Sequence, residues 1–393
     1  MSMKFADRMA RFESSDIADI LKVTADPEII SFAGGLPAPE LFPVEELKQA
    51  CVRALDTEGQ KALQYYKTEG IPSLRGKIAA RMNGKFGTSL GADNILIVTG
   101  SQQGLDLAGK LFLNEGDIVL CESPTYLGAL DAFKSYCPEF VGVETDDEGM
   151  VPEDLERKIA NDRVRLMYVI PDFQNPTGKT WSMARRKAFM DIVNRYSVPV
   201  IEDNPYGELR FRGDILPSLK SMDEKGNILL FGTFSKILSP GMRMAWIGGD
   251  EDLLKKFTFL KQASDLNSST ISQYHIDAFM DMFDLDAHVR KIIKVYAERA
   301  GVMVEAMKEY FPAGVKFVDP DGGLFTWVEM PEQIDGRKLL ARAIEKKVAF
   351  VPGDAFYPDG SHGNTMRLNF SNMPPERIRQ GIKTLGEVME EFI

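Results

Sequence analysis

The stretch "NILLFGTFSKILSPGMRMAWIGG", residues 227–249, places two apolar runs around a loop holding Thr233, Ser235, Lys236 and Arg243. Each run is near-continuously apolar and only a few residues long, which is the pattern of a strand buried on both faces. Working back along the chain, the same pattern recurs in "ILIVTG" ending at Gly100, "DIVLCE" from Asp117, "EFVGVE" from Glu139, "RLMYVIP" from Arg165 and "VPVIED" from Val198. Between several of these runs, residues 102–113 and 183–196 carry apolar positions three and four apart, the helical period. Strands of this kind alternating with helices predict an α/β fold: a large domain with a mostly parallel seven-stranded sheet flanked by helices. Ligands bind such sheets outside the carboxyl ends of the strands, so the informative residues are those just after each run.

Past Asp284 the pattern changes. A helix is expected over residues 288–310, followed by "GGLFTWVEM", "KVAFVPG", "MRLNF" and a closing helix from Pro374. This reads as a smaller α+β domain. The expected division is an N-terminal segment, 1–44, packing on the small domain; a large domain, 45–285; and the small C-terminal domain, 286–393.

Composition narrows the function. The 393 residues are 44% hydrophobic and 27% charged, ordinary for a globular protein, and long enough for more than one core. A net charge of −11 without a block of Lys and Arg argues against a nucleic-acid partner. Cys51, Cys121 and Cys137 are odd in number and far apart, so they read as buried thiols in a reducing compartment rather than a disulfide frame. His275, His288 and His362 are isolated, and no metal site is expected. The N-terminus mixes both charge signs without an apolar core, and no run approaches the ~18 apolar residues of a membrane span. A cytoplasmic protein is the expectation.

The residues after each strand are polar in a pattern. Ser101 and Gln102 begin a helix, where free N–H groups and the helix dipole attract a phosphate, though a serine there caps a helix as readily. Asn175 precedes Pro176 in a turn that turn chemistry alone would also explain. Asp203 is followed by "NPY" with Tyr206, and an aspartate at that place also caps turns. Lys236 would be an ordinary surface charge elsewhere, but here it follows an apolar strand among hydroxyls. Two other readings fail on spacing. "TGKT" at 177–180 lacks the glycine a phosphate loop needs, since Phe173 stands there, and no G-x-G-x-x-G follows the first strand. A ligand with a phosphate, a ring and a carbonyl would use every one of these strand-end residues.

The pattern T-F-S-K-x-x-x-x-G-x-R at residues 233–243 resembles the cofactor-lysine segment of fold-type I pyridoxal-phosphate enzymes, the aspartate aminotransferase superfamily. "GGLP", "LQYYKTEGIPSLR", "GSQQGLDL", "SPTYLGAL", "NPTG", "DNPY" and "MRLNFSN" follow in that family's order, covering roughly residues 31–371. The resemblance implies pyridoxal 5'-phosphate as cofactor and transfer of an amino group between amino acids and 2-oxo acids. It implies that Lys236 binds the cofactor aldehyde and shuttles a proton, that Asp203 pairs with the pyridine nitrogen, and that Tyr206 and Asn175 hydrogen-bond the ring hydroxyl. Tyr126 would stack on the ring, while Ser101, Gln102, Thr233, Ser235 and Arg243 would hold the phosphate. Arg367 would take the substrate carboxylate, helped by backbone N–H groups near Gly35. Held so, the Cα–H bond is left to break, which favours transamination over decarboxylation. Tyr65 would reach a neighbouring subunit's phosphate, making the unit a homodimer.

Two positions depart from the pattern. Aspartate aminotransferases carry a histidine three positions after the stacking aromatic, supporting the cofactor's aspartate; here that place is Ala129. Relatives acting on 2-aminoadipate, kynurenine and aromatic amino acids often read S-x-I-R-E near the N-terminus, where this chain has "SDIAD" with Ala18 in place of the arginine. Without that charge the expected donor is an aromatic or large apolar amino acid, with 2-aminoadipate or kynurenine as alternatives and 2-oxoglutarate as acceptor. A lyase on the same cofactor and a non-catalytic amino-acid-sensing domain are the other readings. The second is at odds with the ~30 residues ahead of "SFAGGLP", too few for a basic DNA-binding module.

Overall fold

The computed structural model describes residues 3–12 and 26–393; Ala18 and "SDIAD" lie outside the described residues. All seven expected strands form: β1 Ile95–Val98, β2 Ile118–Glu122, β3 Glu139–Val143, β4 Val164–Val169, β5 Val200–Asp203, β6 Ile228–Thr233 and β7 Ala245–Gly248. They make one sheet in the order β1-β7-β6-β5-β4-β2-β3, parallel except for β7, which runs against both β1 and β6. The near-continuous apolar runs are explained by burial on both faces. Along β4, Leu166 and Tyr168 enter one apolar cluster while Met167 and Val169 enter the other, the period of 2 distributing one strand between two cores. Fully burying such a Leu, Ile or Val side chain contributes about 1.5–3 kcal/mol, so substitutions to Ala along these strands destabilise strongly.

A second, antiparallel sheet joins β8 Lys316–Phe317, β9 Phe325–Glu329, β10 Val351–Pro352 and β11 Thr365–Asn369 in the order β8-β9-β11-β10. The helices Leu285–Tyr310 and Pro375–Glu390 pack along one another beside it. Near the N-terminus, Ile30–Ser31 pairs in parallel with Val348–Ala349. Phe32 packs so tightly on the last helix that a Cβ at Gly381 would lie 2.6 Å from its ring.

Two helices differ from their sequence periods at the ends. The expected 183–196 helix stops at Val193, because the next residues turn back toward β5 before Pro199. The expected 288–310 helix starts earlier, at Leu285, with the Asp284 carboxylate accepting from Ala287 N–H as its cap. No helix among the described residues is long and apolar enough to cross a membrane.

Candidate active site

The carboxyl ends of β1, β4, β5 and β6 open into a cavity of about 420 Å³, closed on its far side by β9, β11 and the Gly34–Gly35 backbone. Every residue given a site role from the sequence lines it except Tyr65, which is 77% exposed outside it. The antiparallel β7 explains Arg243, which precedes a strand rather than following one. Because Ala245 pairs with Val98 and Thr233, the start of β7 lies at the same edge as the ends of its neighbours, and Arg243 arrives there beside Ser235 and Lys236.

The ordinary alternatives for the strand-end residues fail on geometry. The helix Ser101–Phe112 has Gly100, not Ser101, at its cap, and no side chain caps it. Turn chemistry beyond β4 is carried by Gln174, whose Oε1 accepts from Thr177 N–H at 2.9 Å, which leaves Asn175 for the cavity. Beyond β5 the turn is bound by Asn204, whose Oδ1 accepts from Gly207 N–H at 2.8 Å, and Asp203 is again left over. The "TGKT" segment lies in the turn beyond β4, with no helix until Met183.

Lys236 projects from the crowded loop across the cavity, and its Nζ donates to the Gly35 carbonyl at 2.8 Å. Gly35 thus meets the lysine through its carbonyl. A Cβ at Gly35 would lie 3.1 Å from the Phe325 ring, so the close approach favours glycine. Burial pulls the Lys236 amine down to about 8, and the cations Arg367 and then Arg243 add to the effect.

Arg367, at the centre of β11, is 6% exposed. Its guanidinium donates to Asn175 Oδ1 at 2.8 Å and to the Ala33 carbonyl at 2.6 Å, and lies 4.3 Å from the Phe325 ring and 5.0 Å from that of Phe356. Burial brings it down to about 10, so it stays cationic at neutral pH. Asn175 Nδ2 donates to the Tyr206 hydroxyl at 3.4 Å, and burial raises both Tyr206 and Tyr126.

Asp203 is 3% exposed and accepts the Tyr168 hydroxyl on Oδ2 at 2.7 Å, while its Oδ1 is buried without a partner. Burial raises its carboxyl to about 6, against the opposing effect of the Tyr168 bond. Tyr168 and Phe325 were missed from sequence. Tyr168 is the one polar side chain facing inward from the apolar run "LMYVI", a signal that was available; Phe325 gave none beyond its double glycine.

These residues fit a phosphorylated pyridine aldehyde. The orphaned, buried Asp203 Oδ1 calls for a donor such as a protonated ring nitrogen. At the other end, the start of the Ser101–Phe112 helix, the Thr233 and Ser235 hydroxyls, 3.0 Å apart, and Arg243 form an anion cradle. Gly100 has φ +77°, and a Cβ there would lie 2.2 Å from Arg243 Nη2, so glycine keeps that cradle open.

Residues 28–385 match the family model described as aminotransferase class I and II. The chain is 42% identical over 392 residues to the aromatic-amino-acid aminotransferase 1 of Thermococcus litoralis, spanning 98% of this chain and 94% of that one. It is 38% identical over 395 residues to the 2-aminoadipate transaminase of Thermus thermophilus, spanning 100% and 98%. A Pyrococcus horikoshii kynurenine aminotransferase, solved in complex with PMP, KYN as substrates and KYA as products, matches with a TM-score of 0.94 at 41% identity over 98% of this chain and 97% of that one.

Proposed function

The chain belongs to the class I and II aminotransferases, and from that premise we propose that it moves the amino group of an aromatic or large apolar amino acid to 2-oxoglutarate. It is a pyridoxal-phosphate-dependent aminotransferase of the aspartate aminotransferase fold. When bound, the cofactor supplies an aldehyde that takes the amino group and a ring that accepts the electron pair freed at Cα. In our reading Asp203 and Tyr126 hold the ring, and Asn175 and Tyr206 its hydroxyl. Ser101, Gln102, Thr233, Ser235 and Arg243 hold the phosphate. Arg367 binds the substrate carboxylate, and so orients the Cα–H bond toward Lys236. Lys236 Nζ, in the unprotonated form that its lowered pKa makes accessible, takes that proton and returns it to the cofactor side. The observation that carries this reading is the placement of Lys236, whose amine enters one cavity with Asp203, Arg243 and Arg367 at the carboxyl ends of the sheet.

The donor class is argued from the cavity's charges. Among its described lining residues the cations are Lys236, Arg243 and Arg367, and all three are engaged by the roles above. The rest of the lining is mostly apolar, including Leu36, Leu127, Ile170, Pro205 and Phe325, with Asp131 as the unassigned charge, a lining that disfavours a second carboxylate. Each common amino acid, kynurenine and 2-aminoadipate, mixed alone with the holoenzyme, tests this. Aromatic donors are expected to convert the bound cofactor's absorbance with one equivalent of 2-oxo acid, about tenfold faster than 2-aminoadipate; 2-oxoglutarate should reverse the change. A faster 2-aminoadipate refutes the donor class, and no reversal refutes the acceptor.

We also place the enzyme in the cytoplasm, a reading supported by its three free thiols, of which only Cys121 is buried while Cys51 and Cys137 are half-buried against expectation, and divide it into domains at 45 and 286. The active unit is proposed to be a homodimer in which Tyr65, exposed and outside its own cavity, reaches the neighbour's phosphate. Tyr65→Phe should then weaken cofactor affinity roughly fivefold or more, by loss of a hydrogen bond to a charged group, with the thermal midpoint unmoved. Unchanged affinity in an equilibrium titration would remove that role.

A further inference from the structure

We propose that Tyr168 is the positioning residue of Asp203, its phenol keeping one carboxylate oxygen engaged and ionised so that the other is presented to the cofactor's ring nitrogen. The inference rests on the role read above for Asp203 and goes beyond it, because it identifies what replaces the histidine absent at Ala129.

The geometry is specific. Tyr168 in β4 pairs with Ile201 in β5, so Asp203, two residues further along, projects from the same face of the sheet. The hydroxyl reaches Oδ2 at 2.7 Å, and among the described residues no other group bonds either oxygen. The ring is 1% exposed and held edge-on by Phe133, centroids 6.3 Å apart at 74°. Ala129, fully buried, offers no polar atom. Asp203 faces the phenols of Tyr126, Tyr168 and Tyr206, and Lys236, Arg243 and Arg367 line the same cavity. Burial holds Tyr168 well above the ordinary phenol range, so at neutral pH it can only donate toward the carboxylate. A bond donated to the ionised form opposes the burial that would otherwise protonate Asp203.

The sign of the pH effect follows. Asp203 is ionised above about 6 and protonates as pH falls through that value. Without the phenol, protonation occurs at higher pH, and the ring nitrogen loses its anionic partner sooner. The experiment titrates pyridoxal 5'-phosphate into the cofactor-free forms of wild type, Tyr168→Phe, Asp203→Asn and the double variant from pH 5 to 9. Each is normalised to the folded fraction by circular dichroism. Tyr168→Phe is expected to move the acid limb of cofactor affinity upward by about one pH unit, and so to weaken binding about twofold at pH 7 and nearly tenfold at pH 5. In the Asp203→Asn background the same change should alter affinity less than twofold, because the partner it acts through is gone.

A uniform loss with the limb unmoved, or an equal loss in both backgrounds, overturns the role of Tyr168 while leaving that of Asp203 intact. An Asp203→Asn protein that binds cofactor as tightly as wild type overturns both. Wild type gives a measurement that no variant's folding can obscure: an affinity flat from pH 5 to 8 also overturns the proposal.

Discussion

Lys236→Ala is expected to abolish turnover, with kcat reduced by at least about 10⁴-fold, because the role we propose gives one amine both the covalent link to the cofactor and the proton shuttle. The fold should survive. Lys236 makes one hydrogen bond, to the Gly35 carbonyl, and its removal takes a cation away from two others rather than leaving a buried partner unpaired. Borohydride reduction of the wild-type holoenzyme followed by peptide mapping should place the cofactor on Lys236, and a label on another lysine would end the assignment. Linkage gives an independent check in the cofactor-free protein. The amine lies near 8 in the folded chain against 10.5 as its ordinary value, so between those values the unfolded state binds more protons. Stability should therefore rise with pH through that window, and the Ala variant should lack that part of the slope.

Arg367→Ala is expected to lower kcat/KM for amino and 2-oxo acids alike by about 10³-fold, since both carry the carboxylate the guanidinium would hold. Truncating one member of a buried, hydrogen-bonded charge pair costs about 2–5 kcal/mol, and ~1.4 kcal/mol is a factor of ten. The loss should appear in KM and, because the carboxylate's seat also orients the Cα–H bond, in kcat, with the bound cofactor's spectrum retained. Arg367→Lys should not restore it. The guanidinium packs against the Phe325 and Phe356 rings while donating to Asn175 and Ala33, a geometry an ammonium group cannot reproduce. Rescue to within tenfold by lysine, or a loss below tenfold with alanine, refutes the assignment in steady-state kinetics.

Much of the fold and most of the site were legible because the signals are local. Each parallel strand is an apolar run whose buried faces force near-continuous Val, Ile and Leu, and each site residue from that sheet lies within a few positions of a run's end: Ser101, Asn175, Asp203 and Lys236. Arg243 obeyed the rule in reverse, since β7 is antiparallel and its start meets the others' ends. The polarity of a strand is not written in its apolar pattern. Tyr65 could be named only through the resemblance, because an exposed tyrosine has no local mark distinguishing an intersubunit contact from solvent.

What the sequence by itself determined is the order of strands along the chain, the kind of ligand their ends receive and the lysine proposed to meet it. What only the tertiary structure decided is which groups face one another. Tyr168 reaches Asp203 across 35 residues, Arg367 reaches Asn175 across 192, and Lys236 reaches Gly35 across 201. Those pairings depend on strand register and on the approach of the second sheet to the first. Both are set by packing summed over the whole core, and a slip of one residue in β4 would turn Tyr168 to the opposite face with no change in any local pattern.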